Sequence, residues 1–149
     1  MSKDEFNVIE SILFSFPELC RSADIRREYI LSLACTKDPG EHVQGGSGLC
    51  TADCYADGNR HLEAMETIIK QTSASLTRLR AEEKEFISQY YFNHEEAYNF
   101  DDSLATLYRK RKKLCQKVMS LIRVYPLFRE WREREKEERL EAAKRGIKN

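Results

Sequence analysis

Residues 103–123 have the sequence SLATLYRKRKKLCQKVMSLIR, which combines a helical apolar pattern with a dense run of cations. The segment contains seven basic residues and no acidic residue. At about 100° per residue its apolar side chains fall on one stripe, so the spacing predicts an amphipathic helix. The stripe consists of Leu104, Leu107, Tyr108, Leu114, Cys115, Val118, Leu121 and Ile122.

The cations of this segment fall mainly on the side opposite the apolar stripe. Because so many like charges repel one another, a polyanion would relieve the repulsion and gain the entropy of counterion release. This predicts nucleic-acid binding, and the alternative is a solvated charged helix that packs through its leucines. Arg111 lies on the apolar stripe itself, so we expect it either to snorkel or to pair with an acid from a neighbouring helix.

The residues before this helix have the layout of a helix-turn-helix. A helix ends in aromatic residues between Phe86 and Phe92, and Asn93-His94-Glu95-Glu96 has the form of a capping box that opens a short helix at about 94–99. A turn follows in which Asp101, Asp102 or Ser103 caps the basic helix.

Roles for the basic helix follow from this layout. The N-terminal residues of a recognition helix contact base edges, and cations further along hold phosphates. The predicted base-reading residues are Ser103, Thr106, Arg109 and Lys110, and the predicted phosphate contacts are Lys112, Lys113 and Lys117.

The residues from Leu79 to Phe92 and from Ser103 to Leu114 resemble region 4 of sigma factors. They resemble more closely the sigma-region-4-like transcription regulators of phages and prophages of Gram-positive bacteria, the ArpU and RinA type. The resemblance implies that Ser103 begins the recognition helix and that Thr106 and Arg109 contact DNA. The second helix of the motif is shorter here, and we expect Ala97, Tyr98 and Phe100 to fill its space.

The rest of the chain predicts an all-α fold. An N-terminal helical hairpin is expected from helices over 3–14 and from Pro17 to about Ala34, followed by a loop over 36–58 that holds five of the six Gly. Asn59 is predicted to cap a long helix, either continuous or bent near Arg80. Pro126 begins a charged C-terminal helix that should project and fray, anchored by Leu127, Phe128 and Trp131.

The predicted organisation has three regions that differ in charge and task. Residues 1–78 form a helical support, 79–124 a DNA-binding region and 125–149 the charged helix. The net charge is zero, but residues 103–149 carry 15 Lys and Arg against six Glu. Such asymmetry predicts a nucleic-acid-facing end and an acidic part with another task.

Composition and cysteine usage argue against several classes of protein, among them secreted and membrane proteins. We expect no signal peptide and no membrane span, and the five Cys are read as cytosolic thiols, so the expected location is the cytoplasm of a bacterial host cell. No catalytic arrangement or cofactor motif is found. A zinc site is a minor alternative to incidental thiols, because candidate ligands cluster in or beside the Gly-rich loop: Cys35, His42, Cys50, Cys54 and His61.

The sequence therefore predicts a phage-type transcription regulator that reads promoter double-stranded DNA through residues 103–117. The acidic N-terminal part would contact RNA polymerase or a second copy in a homodimer. Two alternatives stay open. One is a helical adaptor that docks on an acidic protein and binds no DNA, and the other is a DNA-packaging subunit like a small terminase.

Overall fold

The computed structural model describes residues 1–35 and 52–147, and the side chains of residues 1–32 and 58–146. The described chain is helical and contains no strand, which confirms the all-α prediction. A π-helical turn over Ser88–Phe92 continues the third helix, and 3₁₀ turns span Ala97–Asn99 and Met119–Val124. The five α-helices are α1 (Lys3–Cys35), α2 (Ala52–Thr77), α3 (Ala81–Ile87), α4 (Leu104–Lys117) and α5 (Tyr125–Ile147).

The first helix, α1, is continuous over 33 residues, so the predicted break between two N-terminal helices is wrong. Pro17 lies inside it, where a proline removes one backbone hydrogen bond and costs about 3 kcal/mol. One buried stripe continues across the proline, and the packing of that stripe offsets the local cost. Its members are Phe6, Ile9, Ile12, Leu13, Leu19, Ala23 and Ile30.

The second helix begins at Ala52 rather than at Asn59, so residues 52–58 of the predicted loop are helical. Gly58 is the one glycine in residues 52–58, and a single glycine inside a helix costs only about 1 kcal/mol. Residues 36–51 of the predicted loop lie outside the described residues. Of the two alternatives left open by the sequence, the structure has the bend near Arg80, since α2 ends at Thr77 and α3 begins at Ala81. Glu83 closes this bend by accepting a hydrogen bond from the backbone N–H of Arg80 at 3.0 Å.

The short helix predicted at 94–99 is wrong, because only a three-residue 3₁₀ turn forms there. His94 has a positive φ of 53°, which prevents the helix from starting at Asn93. Phe100 packs on Phe86 and Tyr90 with ring centroids 5.6 and 6.0 Å away, and so occupies the space of the missing helix as expected. Tyr98, which was expected to do the same, is 82% exposed.

The basic helix α4 ends at Lys117 instead of continuing to Val124. Val118 leaves the helical region with φ −107° and ψ 28°, and a 3₁₀ turn follows. In a 3₁₀ turn residues three apart lie on the same side, which lets Leu121 and Val124 both enter the core.

The last helix, α5, packs on the body along most of its length. Pro126 lies in its first turn as predicted, and Phe128 and Trp131 are buried in the core that all five helices share. Arg26 of α1 forms an ion pair with Glu138 at 3.0 Å. The prediction that α5 projects from the body is therefore wrong for the part of the helix up to Glu138. Residues 140–146 are exposed. Among the helices of the described ranges, none has the length and hydropathy to cross a membrane.

Candidate nucleic-acid interface

Ser103 begins α4, as the sequence predicts. Its hydroxyl oxygen accepts a hydrogen bond from the backbone N–H of Thr106 at 3.2 Å and donates to the Thr106 hydroxyl at 3.0 Å. A side-chain cap of this kind satisfies one of the free N–H groups of the first turn. Because the two hydroxyls bond each other, two of the four residues predicted to read bases are used to form the helix start.

Arg111 anchors the inner side of α4 to α1. Its guanidinium forms a two-pronged ion pair with the carboxylate of Glu10, at 2.7 and 2.8 Å, which confirms the expected pairing with a neighbouring helix. The Tyr91 hydroxyl donates to the same carboxylate at 2.7 Å. Burial raises the pKa of Tyr91, and the neighbouring Cys115 and Glu10 add to it, so the hydroxyl stays protonated and keeps donating.

The apolar stripe of α4 is only partly buried. Leu107, Leu114 and Cys115 lie in the core or against it, and burial raises the pKa of the Cys115 thiol to about 12. Leu104 is 75% and Tyr108 46% exposed, so their expected burial is wrong. Only a short 3₁₀ turn, Ala97–Asn99, precedes this exposed end of α4.

Two further cations of the run are neutralised by acids from outside α4. Lys110 bonds Asp102 at 2.5 Å, and Lys117 bonds Glu83 at the start of α3. The hydrogen bond from Lys117, together with the one from the backbone of Arg80, lowers the pKa of Glu83 to about 2. The charge of the basic helix is therefore partly compensated by residues that are distant in sequence or precede the helix.

The cations that remain form one exposed patch on α4. Arg109, Lys112 and Lys113 are exposed, and within the described part of the chain no acid lies within ion-pair distance of them. They share an open concave surface with apolar and amide side chains of the same helix. We call this surface the outer face of α4, and it consists of Leu104, Ala105, Tyr108, Arg109, Lys112, Lys113 and Gln116.

The charge of the outer face changes along the helix. The turn before α4 carries Glu95, Glu96, Asp101 and Asp102, of which only Asp102 is paired with a cation of α4. These acids repel phosphates from the N-terminal end of the helix. The unpaired cations begin at Arg109, in the second turn. Phosphate contacts are therefore favoured at the middle of α4 rather than at its beginning.

The zinc candidates fall mostly on parts of the chain that are not described. The side chains of Cys35, His42, Cys50 and Cys54 lie outside the described residues. His61 is buried between α2 and α5, with its Nε2 atom 3.8 Å from Glu135. Burial, with the charge of Glu138, raises the pKa of Glu135. Within the described residues no three His, Cys, Asp or Glu side chains form a metal-binding group.

Comparison of the chain with family models, with curated proteins and with solved structures found no match.

Proposed function

We propose that the protein binds double-stranded DNA through the outer face of α4 and regulates transcription from promoter DNA. The observation that supports this is the patch of Arg109, Lys112 and Lys113, which stays exposed and unpaired while Lys110, Arg111 and Lys117 are each bonded to an acid. A major groove admits a single α-helix, and the 14 residues of α4 span about 21 Å.

The proposed mechanism gives each side of α4 a separate task. The inner side is held by the Arg111–Glu10 ion pair, which fixes the orientation of the helix on α1. On the outer side Lys112 and Lys113 hold phosphates, and Arg109 contacts either a phosphate or a guanine edge. The acidic N-terminal part contacts RNA polymerase or a second copy of the protein. The resemblance to phage-type regulators supports this assignment.

A titration of random-sequence duplex DNA at about 50 and 200 mM salt tests the proposal. Each phosphate contact contributes about 0.9 to the slope of log affinity against log salt, so three contacts predict a slope near −3 and roughly a 40-fold loss between the two conditions. Lys113→Ala should lower the slope by about one. Lys144→Ala removes the same charge from an exposed position of α5 and should leave the slope unchanged.

Two results would contradict the proposal. One is the absence of duplex binding at the lower salt concentration. The other is an equal loss of binding in the Lys113→Ala and Lys144→Ala variants, which would mean that net charge rather than the outer face of α4 attracts the DNA.

A protein adaptor is the second candidate, and one observation favours it. The helix that precedes a recognition helix is replaced by a 3₁₀ turn, and Leu104 and Tyr108 are exposed beside the cations. An apolar strip flanked by cations also suits an acidic amphipathic helix of a partner protein. Absence of duplex binding in the titration, with an intact fold, would favour this candidate.

A further inference from the structure

We propose that the outer face of α4 recognises thymine, through contact of Leu104 and Tyr108 with thymine methyl groups in the major groove. The inference rests on the proposed DNA-binding function and adds the kind of sequence that is preferred. It concerns residues that the helix-turn-helix pattern places in the core and the structure places at the surface.

Three of the four side chains predicted to read bases are already engaged, and Arg109 is the exception. Ser103 and Thr106 bond each other at the helix start, and Lys110 is paired with Asp102. Breaking these bonds to reach a base would cost the hydrogen bonds that DNA then has to replace. Hydrogen-bond readout at the beginning of α4 is therefore disfavoured.

The side chains that stay available there are apolar. Leu104 and Tyr108 are four residues apart, so they lie on one side of the helix, and the exposed Ala105 is beside them. The ring of Tyr108 meets Phe6 edge-on with centroids 5.7 Å apart, which holds the ring in place. The apolar strip is therefore ordered as well as exposed.

The cations next to this strip favour DNA as its occupant. Lys112 lies 5.9 Å from the ring centroid of Tyr108, and Arg109 directly follows it in sequence. Phosphates bound by these cations would bring the floor of the groove against the first two turns of α4. The acids of the preceding turn keep phosphates away from that end, so base edges lie opposite the strip. Thymine alone among the four bases presents a methyl group in the major groove.

The test compares thymine with uracil, which differs only in lacking the 5-methyl group. The protein selects from a pool of random-sequence duplexes, and the most enriched duplex is remade with deoxyuridine in place of thymidine. Burial of one methyl group changes affinity roughly fourfold, so uracil substitution should weaken binding about fourfold for each contacted methyl. Both forms carry the same phosphates, so the salt dependence should stay the same.

A matched pair of leucine variants locates the effect. Leu104→Ala should reduce the preference for thymine over uracil by about fourfold, and the part contributed by Tyr108 should remain. Leu140 is also an exposed helical leucine, 55% exposed on α5, and Leu140→Ala should keep the full preference for thymine. Both side chains are at the surface, so both variants are expected to fold.

The outcomes separate the two proposals. Equal binding of thymine and uracil duplexes by the parent protein, or an enriched duplex without thymine, would overturn the inference and leave DNA binding intact. A uracil effect of the same size in Leu104→Ala as in the parent protein would overturn the role of Leu104. Absence of binding to any duplex at low salt would overturn the proposed function and this inference with it.

Discussion

Within the described residues, the helices α4 and α5 both carry exposed cations without an ion pair, Arg109, Lys112 and Lys113 in α4 and Arg132 and Lys136 in α5, but those of α5 alternate with acids of their own helix and those of α4 do not. In α5 the acids needed for pairing belong to the same helix, as in Arg129–Glu133, Arg134–Glu138 and Arg145–Glu141. Because α4 contains no acid, its ion pairs come from other segments and reach only Lys110, Arg111 and Lys117. The proposed interaction surface therefore rests on the absence of acids from α4 rather than on the number of its cations.

The same contrast separates the two sides of α4. Arg111 is held by a half-buried ion pair, whereas Arg109, two residues earlier, is exposed. A buried ion pair fixes orientation and is costly to break, but exposed cations contribute little to folding and remain available for a ligand. Substitutions of the two arginines should therefore affect different properties of the protein.

The largest expected effect follows from removing the inner arginine. Arg111→Leu leaves the Glu10 carboxylate buried, with only the Tyr91 hydroxyl as a partner, and should lower the free energy of unfolding by about 3 kcal/mol. This is the lower end of the usual range, because the Arg111 side chain is 23% exposed. Urea unfolding measures the loss.

Two further variants complete this test. Arg109→Leu, the same substitution on the outer face, should change the free energy of unfolding by less than about 0.5 kcal/mol. Replacing Glu10 and Arg111 together by leucine should recover part of the loss, because no unpaired charge stays buried but the Tyr91 hydroxyl loses its acceptor. An Arg111→Leu variant as stable as the parent would show that the ion pair does not hold α4.

Paired substitutions compare DNA binding by the two helices. Arg109→Ala with Lys113→Ala removes two unpaired cations from α4 and should lower the salt slope by about two, with roughly a tenfold loss of affinity near 100 mM salt. Arg129→Ala with Arg145→Ala removes two cations that are paired with glutamates of α5. This variant should bind nearly as the parent does. Equal losses in both variants would remove the distinction between the helices.

Sequence periodicity predicted most helices but could not predict how they pack. The bend near Arg80, the Ser103 cap and the pairing of Arg111 with an acid were each among the alternatives that the sequence left open, because each depends on local chemistry or on an isolated charge within an apolar stripe. The continuity of α1 through Pro17 was missed, since burial along the whole helix outweighs a local penalty. The pattern of residues around Pro17 does not show how much of α1 will be buried against distant helices.

For the candidate site, the sequence predicted the location of the basic helix but not the partners of its side chains. The basic helix was located, but Ser103, Thr106, Lys110 and Lys117 were assigned to DNA while the structure gives each a partner within the protein. For Lys117 that partner is Glu83, which is 34 residues away in sequence, so no local sequence pattern predicts the pairing. The exposure of Leu104 was missed because the apolar stripe of α4 predicts its burial, whereas only a 3₁₀ turn precedes this end of the helix.

Releasing Lys117 from its partner should enlarge the cationic patch. Glu83→Gln frees Lys117, which follows Lys113 by one turn, so the salt slope should steepen by about one and affinity at low salt should rise severalfold. The amide oxygen of the glutamine can still accept the hydrogen bond from the Arg80 N–H, so stability should change little. Glu82→Gln removes an equal charge from the adjacent exposed position and should raise affinity less. Equal gains in both variants would mean that Lys117 stays off the DNA.

The smallest expected effect concerns the titration of Glu83. Its pKa lies near 2 in the folded protein, below its ordinary value of 4.5, because Lys117 and the Arg80 backbone bond the charged form. The stabilisation by this carboxylate is therefore complete above about pH 4.5 and is lost as the pH falls towards 2. Lys117→Met should return the pKa of Glu83 part of the way to 4.5 in an NMR titration of the side-chain carboxyl. Lys113→Met removes an unpaired cation one turn earlier and should leave that pKa near 2. If both variants raised the pKa of Glu83 alike, that pKa would depend on the total charge of α4 rather than on the bond from Lys117. The distinction between the paired Lys117 and the unpaired Lys113 would then be lost.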